Sequence, residues 1–270
     1  MAQEITLCRE IRFTTEGGAS AGASGNSFAG NPISHHFSPV LILRVGLLGR
    51  MDAGTGMLMN IRQVDQNVRG NLLPAIRQYA GDLTAAAILQ HLWPIAAPGF
   101  MPAKLQSLEI AASPWLQHRI VYGDRAMIEL TERFEFSAAH RLHSPQLTDQ
   151  ENADLFGKCN NPHGHGHNYE LEVTVCGPIG ADGTIIPPAT FHEIINRLVI
   201  NRMDHKNLNV QLAEFRALNP TVENIAANIF QTLSSAFAPP VRLKRVRLWE
   251  TPKTSCQIEA AAAGSNGENQ

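Results

Sequence analysis

The residues best equipped for chemistry cluster in Cys159-Asn-Asn-Pro-His163-Gly-His165-Gly-His167-Asn-Tyr169. Residues two apart in an extended strand share a face, so His165 and His167 can present both imidazoles to one metal ion. Two ligands do not complete a site. The expected third is His140, which ends the strand pattern Phe134-Glu-Phe-Ser-Ala-Ala-His140 and would pair antiparallel with the segment after His167. Three neutral imidazoles leave the fourth position of a tetrahedral zinc open to water or substrate, the arrangement of a catalytic rather than a structural site. His163 reads as a loop residue, because its two neighbours fit the i, i+2 geometry better.

Cys159 lies close to that loop in sequence, and a thiol whose pKa is depressed by a nearby cation or imidazole can take a proton from carbon. Asp204-His205 offers a partner for it. A carboxylate can orient and charge-stabilise an imidazole, which then exchanges protons with the thiol or the substrate. Each group also has a plainer reading: Asp204-His-Lys-Asn after a helix as an ordinary loop with a hydrogen-bonded aspartate, Cys159 before Asn-Asn-Pro as packing in a tight turn. The pattern alone leaves both open.

Five separated stretches, Phe136-Ser-Ala-Ala-His-Arg-Leu, Leu155-Phe-Gly-Lys-Cys-Asn-Asn-Pro-His-Gly-His-Gly-His-Asn-Tyr, Met203-Asp-His-Lys-Asn-Leu, Thr221-Val-Glu-Asn-Ile-Ala and Leu248-Trp-Glu-Thr, resemble the 6-pyruvoyltetrahydropterin synthase family in the family's order. The likeness runs from Met127 to Glu259. It implies zinc held by His140, His165 and His167, a catalytic set of Cys159, Asp204 and His205, and a pterin ring anchored by Glu250, with Thr221 in the pterin-contacting segment. Val222 stands where many members carry a second threonine.

The implied reaction is zinc-dependent conversion of 7,8-dihydroneopterin triphosphate to 6-pyruvoyltetrahydropterin with loss of triphosphate. The related 6-carboxytetrahydropterin synthases of queuosine biosynthesis are the alternative, but they typically space the cysteine and first histidine as C-x3-H-x-H, whereas five residues separate Cys159 from His165. A zinc-containing pterin- or purine-binding module without turnover is the reading from another class.

The elements that must position these residues are legible as a repeat. Asn31-Pro-Ile-Ser-His35-His36-Phe37 aligns with Asn161-Pro-His-Gly-His165-Gly-His167, and in each half an alternating strand, an amphipathic helix and a threonine-capped helix at Thr84 or Thr221 follow in turn. Ile61, Val64, Val68 and Leu72 mark the first helix of one half. Phe191, Ile194, Ile195 and Leu198 mark that of the other. Ile88, Leu92 and Ile95 answer Ile225, Ile229 and Leu233. Each half closes with an alternating strand and a Ser-Pro or Thr-Pro step. The first half has lost the reactive groups: Ala29 stands for Cys159, Phe37 for His167 and Ala112 for Glu250, so no metal is expected there.

The expected fold class is α+β, two tandem T-fold units, each an antiparallel four-stranded sheet with two helices on one face, the units assembling into barrels as the resemblance implies. Expected boundaries are 1–120 for a degenerate unit, 121–126 for a linker, 127–259 for the active unit and 260–270 for a disordered tail. Gly17 to Gly30 reads as a flexible loop, shorter in ordered structure than the loop Leu142 to Phe156. Because a ring of three units cannot be closed from whole two-unit chains without one left over, a homotrimer forming a pseudo-hexamer is expected, or a dimer of such trimers.

Across 270 residues the net charge is −2, which advertises neither a nucleic-acid nor a membrane-surface partner. The basic run Arg242, Lys244, Arg245 and Arg247 reads as the solvated side of a strand, with attraction of a triphosphate as the functional alternative. No stretch approaches the ~18 apolar residues of a membrane span, and the N-terminus lacks a signal-peptide pattern. Four cysteines at unrelated spacings argue against a disulfide framework. A cytoplasmic protein is therefore expected.

Overall fold

In the computed structural model, residues 3–15 and 39–261 are described. The motif around His35, Ala29, the loop Gly17 to Gly30 and most of the tail from Ala260 lie outside them. The chain divides into two compact units, Met1–Thr131 with Cys176–Ile185, and Glu132–Val175 with Ile186–Gln270.

In the first unit, β1 (Glu4–Phe13) pairs antiparallel with β2 (Leu41–Arg50), from Glu4 opposite Arg50 to Phe13 opposite Leu41. Alternation puts Leu43, Val45 and Leu47 wholly out of water. The next helix starts at Asn60, whose side chain accepts from Arg62 N. It runs as α1 (Ile61–Asn67), a π turn Val68–Leu72 and α2 (Leu73–Tyr79). Val64, Val68 and Leu72 are buried at four-residue spacing, and burying each such side chain is worth roughly 1.5–3 kcal/mol. Thr84 caps α3 (Ala85–Ala96) by accepting from Ala87 N at 3.2 Å. Strands β3 (Lys104–Ser113) and β4 (Leu116–Val121) close the order β1-β2-β3-β4.

The second unit repeats that order with insertions. β5 (Ile128–His140), whose first four residues belong to the first unit, is followed by α4 (Asp149–Phe156) and β6 (His165–Gly177). Then come α5 (Pro188–Ile195), a π turn Asn196–Ile200 and α6 (Asn201–Met203). The short β7 (Lys206–Asn207) pairs parallel with β5, and α7 (Leu208–Gln211) leads to α8 (Val222–Leu233), β8 (Arg242–Thr251) and β9 (Thr254–Glu259). Hydrogen-bonded strands run β5-β6-β8-β9. Ile225, Ile229 and Leu233 of α8 are buried, as are Val246 and Leu248 of β8 and Leu171 and Val173 of β6. The class is α+β, helices with an antiparallel sheet.

Four details depart from the sequence reading. Leu142 to Phe156 is not loop throughout, because Thr148 and Glu151 form a reciprocal capping box that starts α4. Ile95 is 40% exposed, since the inward positions of α3 are Leu92, Trp93 and Ala96. The expected linker 121–126 is displaced by one residue: Val121 still belongs to β4, and β5 begins at Ile128 after a turn at Gly123. Residues Cys176–Ile185 group with the first unit, where the Thr84 hydroxyl donates to Gly183 O.

Candidate metal centre and active site

His140 is the last residue of β5 and fully buried, while His165 and His167 open β6 on the same face as Tyr169. A sharp turn brings them together. Gly164 has φ +75° and donates to Asn161 O at 2.8 Å, and a side chain there would place a Cβ 3.0 Å from His140 O. Only glycine accepts both constraints without strain.

One potential ligand atom from each of the three histidines lies within 4.8 Å of the others, and His140 Nε2 is 3.1 Å from His165 Nε2. His140 donates through Nδ1 to Pro220 O at 2.6 Å, which leaves the Nε2 lone pair facing its neighbours. His167 Nε2 and His165 Nδ1 are buried without a partner. Burial, helped by the adjacent imidazoles, pushes His140 down to about 4, and burial followed by His167 lowers His165. At neutral pH the His140 and His165 rings are therefore uncharged and carry lone pairs that a cation would satisfy. The donor set suits a metal of imidazole preference.

Glu250 of β8 reaches the same point, with Oε1 3.4 Å from His140 Nε2 and 3.9 Å from His167 Nε2. Beneath them Tyr169 is fully buried, stacks on Phe136 at 5.0 Å and keeps its hydroxyl unpartnered. Burial first, then Glu250 and Cys159, raise the Tyr169 phenol. Cys159 lies half-buried in a single 3₁₀ turn, Gly157–Asn160, after α4, and its carbonyl accepts from Leu142 N at 2.9 Å. Thr221 caps α8 by accepting from Asn224 N at 3.3 Å, directly after the Pro220 that holds His140.

Asp204 and His205 form their own pair. His205 Nδ1 lies 2.8 Å from Asp204 Oδ2, and Asp204 Oδ1 accepts from Ser137 N at 2.8 Å. Those two bonds hold the Asp204 carboxyl below its ordinary value. His205 has φ +55°, rare for a residue with a side chain, and its backbone N donates to Ser137 O at 2.6 Å. A cavity of about 350 Å³ opens beside the pair, bordered by Ser137, Ala139, Gly166, Asn168, His205 and Lys206. Among the described residues no hydrogen bond joins Cys159 to Asp204 or His205. One chain thus gathers the histidines with Glu250 and anchors the aspartate–histidine pair on β5, where His205 borders the same cavity as His167.

The basic run on β8 is taken up within the fold. Arg245 lies 3.5 Å from Glu172 and 3.9 Å from Glu259, Arg247 stacks 4.4 Å over Trp249, and Arg242 and Lys244 also have partners. Sequence reasoning missed Arg141, which donates through Nε to Asn160 O at 3.0 Å and to Asn160 Oδ1 at 3.1 Å, and so ties the strand carrying His140 to the turn carrying Cys159. Its place one residue after His140 was the available signal.

A family model described as 6-pyruvoyl tetrahydropterin synthase matches residues 129–261. Similar proteins include the 6-pyruvoyl tetrahydrobiopterin synthase of Drosophila melanogaster, 46% identical over 125 residues, which are 46% of this chain and 74% of the relative. The protein of the same name from Homo sapiens is 41% identical over 130 residues, 48% of this chain and 89% of the relative. Among solved structures, Caenorhabditis elegans 6-pyruvoyl tetrahydropterin synthase is 37% identical, covers 50% of this chain and 96% of its own, and has a TM-score of 0.47.

Proposed function

Since this chain belongs to the 6-pyruvoyl tetrahydropterin synthase family, we propose that its second unit is a zinc-dependent lyase that converts 7,8-dihydroneopterin triphosphate to 6-pyruvoyltetrahydropterin and releases triphosphate. The observation that carries this reading is the convergence of His140, His165 and His167, with buried unpartnered nitrogens, at the carboxylate of Glu250. His140, His165 and His167 would hold the zinc, which when bound supplies a Lewis acid for negative charge on a substrate oxygen.

The protein groups divide the remaining work. Glu250 accepts hydrogen bonds from the planar donor pair of the pterin, a task a carboxylate can perform with both oxygens at once. Thr221 keeps its hydroxyl proton for the substrate while its oxygen caps α8. Cys159, as thiolate, takes a proton from the side-chain carbon, and Asp204 keeps His205 in one tautomer so that it can pass protons on. Among the described residues no hydrogen bond joins Cys159 to the aspartate–histidine pair of the same chain, and in our reading the catalytic set is completed between neighbouring subunits of a homotrimeric pseudo-hexamer. We assign the protein to the cytoplasm, in keeping with its four free cysteines.

Mass spectrometry of the pterins formed by the zinc-loaded chain tests the reading. It predicts 6-pyruvoyltetrahydropterin and triphosphate. Formation of 6-carboxytetrahydropterin with acetaldehyde would move the chain to the other branch.

A further inference from the structure

A cavity of about 760 Å³, within the range that holds small-molecule ligands, lies beside the Cys159 turn and is lined by Arg141, Asp149, Gly157, Lys158, Asn160 and Asn161. Its two cations are chain neighbours of the groups that matter most. Arg141 follows His140, and Lys158 precedes Cys159. Arg141 is held in place at both ends of its residue: Nε donates to Asn160, its backbone N donates to Asn209 Oδ1 at 2.8 Å, and its carbonyl accepts from Asn209 Nδ2 at 3.0 Å. Its terminal nitrogens, and the Lys158 ammonium, make no hydrogen bond or ion pair among the described residues. A guanidinium pinned through Nε with its outer nitrogens unpaired is preorganised for an anion, because binding costs it little further ordering.

We propose that this cavity is a polyphosphate subsite in which Arg141 and Lys158 hold the triphosphate of the substrate and then the released anion. The inference rests on the lyase reading, which puts the reacting carbons at Cys159 and therefore the triphosphate a few bonds away. When the C–O bond breaks, its electron pair leaves on the phosphate oxygen, and the held guanidinium of Arg141 together with the Lys158 ammonium stabilises that charge. The β8 run is already engaged within the fold, and Arg141 and Lys158 are the cations that line this cavity. Asp149 is the counterweight. Its unpaired carboxylate lines the same cavity and repels an anion, so its removal acts in the opposite direction.

Calorimetric titration of inorganic triphosphate into the full-length protein tests this, using wild type, Lys158→Gln and Asp149→Asn. Both positions are exposed and outside the core, so the variants fold, as an unchanged thermal transition would verify. Triphosphate should bind wild type more tightly than orthophosphate does. It should bind Lys158→Gln roughly tenfold more weakly, the size of one charge-assisted contact, and Asp149→Asn more tightly than wild type. With the pterin substrate, Lys158→Gln should raise KM more than it lowers kcat. Equal triphosphate affinity in all three proteins, or no binding to wild type, would overturn the subsite. If triphosphate binds through Lys158 but no pterin is turned over, the lyase reading fails and the anion site stands. Turnover with a KM indifferent to both variants has the reverse meaning.

Discussion

Histidines with ring nitrogens shut away from water are held neutral by their surroundings in both halves of the chain. His118 of β4 has a buried, unpartnered Nδ1, and burial pushes it down from 6.5 to about 4. Below pH 6.5 the unfolded chain binds a proton there that the folded chain refuses until about pH 4, so stability falls as pH drops through that window. The full shift would be worth roughly 3 kcal/mol, and less in practice because the residue is only half-buried overall. His118→Gln cannot titrate, so denaturant unfolding of this variant should show a flatter loss of stability between pH 6.5 and 4 than wild type. In the second unit the neutral rings serve binding. Cys159→Ala should retain metal and lose turnover by about 10²–10⁴-fold, the usual worth of a positioned acid or base, as steady-state kinetics with metal analysis would check.

At the scale of the element, the site depends on turns and caps more than on strand length. Gly164→Ala puts a Cβ 3.0 Å from His140 O and a side chain at φ +75°, at a cost of roughly 1–2 kcal/mol. It should therefore weaken metal binding in a competition titration while leaving the first unit intact. Thr221→Ala removes the α8 cap, about 1 kcal/mol, and should lower both the thermal midpoint and substrate affinity, because the same residue adjoins the carbonyl that orients His140. The strands holding the triad were legible: the i, i+2 histidines and the alternation through Phe136, Ala138 and His140 each follow from a period of two. So were the caps at Thr84 and Thr221. The helix α4 was hidden because Asp149–Phe156 has no apolar stripe, although its Thr148–Glu151 capping box was there to read. Arg141 and Lys158 were hidden for a different reason. A cation left unpaired in a cavity is a property of its neighbours in space, and the sequence instead advertised the β8 run that the fold pairs off.

For the whole molecule, the contrast between the two units is chemical. The order of strands, a helix broken by a π turn, and a threonine-capped twelve-residue helix recurs in both. Yet among the described residues only the second carries a cluster of three side chains that could hold a metal ion, and Ala112 of β3 stands at the place corresponding to Glu250. The first unit is then a scaffold in our reading, and the proposed trimer would bring the Asp204–His205 pair of one subunit to the Cys159 of another. Sedimentation velocity should accordingly give a trimer of full chains or a multiple of it, and a stable monomer with full activity would contradict the shared site.

The central claim is that His140, His165 and His167 hold a metal on which Cys159-dependent pterin chemistry relies. Its most direct test is turnover of 7,8-dihydroneopterin triphosphate by the full chain stripped of metal and then reloaded with zinc, alongside His165→Ala and Cys159→Ala, with metal content measured on the same samples. One zinc per chain, turnover only after reloading, little metal in His165→Ala, and metal without turnover in Cys159→Ala are expected. Undiminished turnover by the stripped protein or by Cys159→Ala, or a zinc-loaded wild type that leaves the substrate untouched, would contradict it.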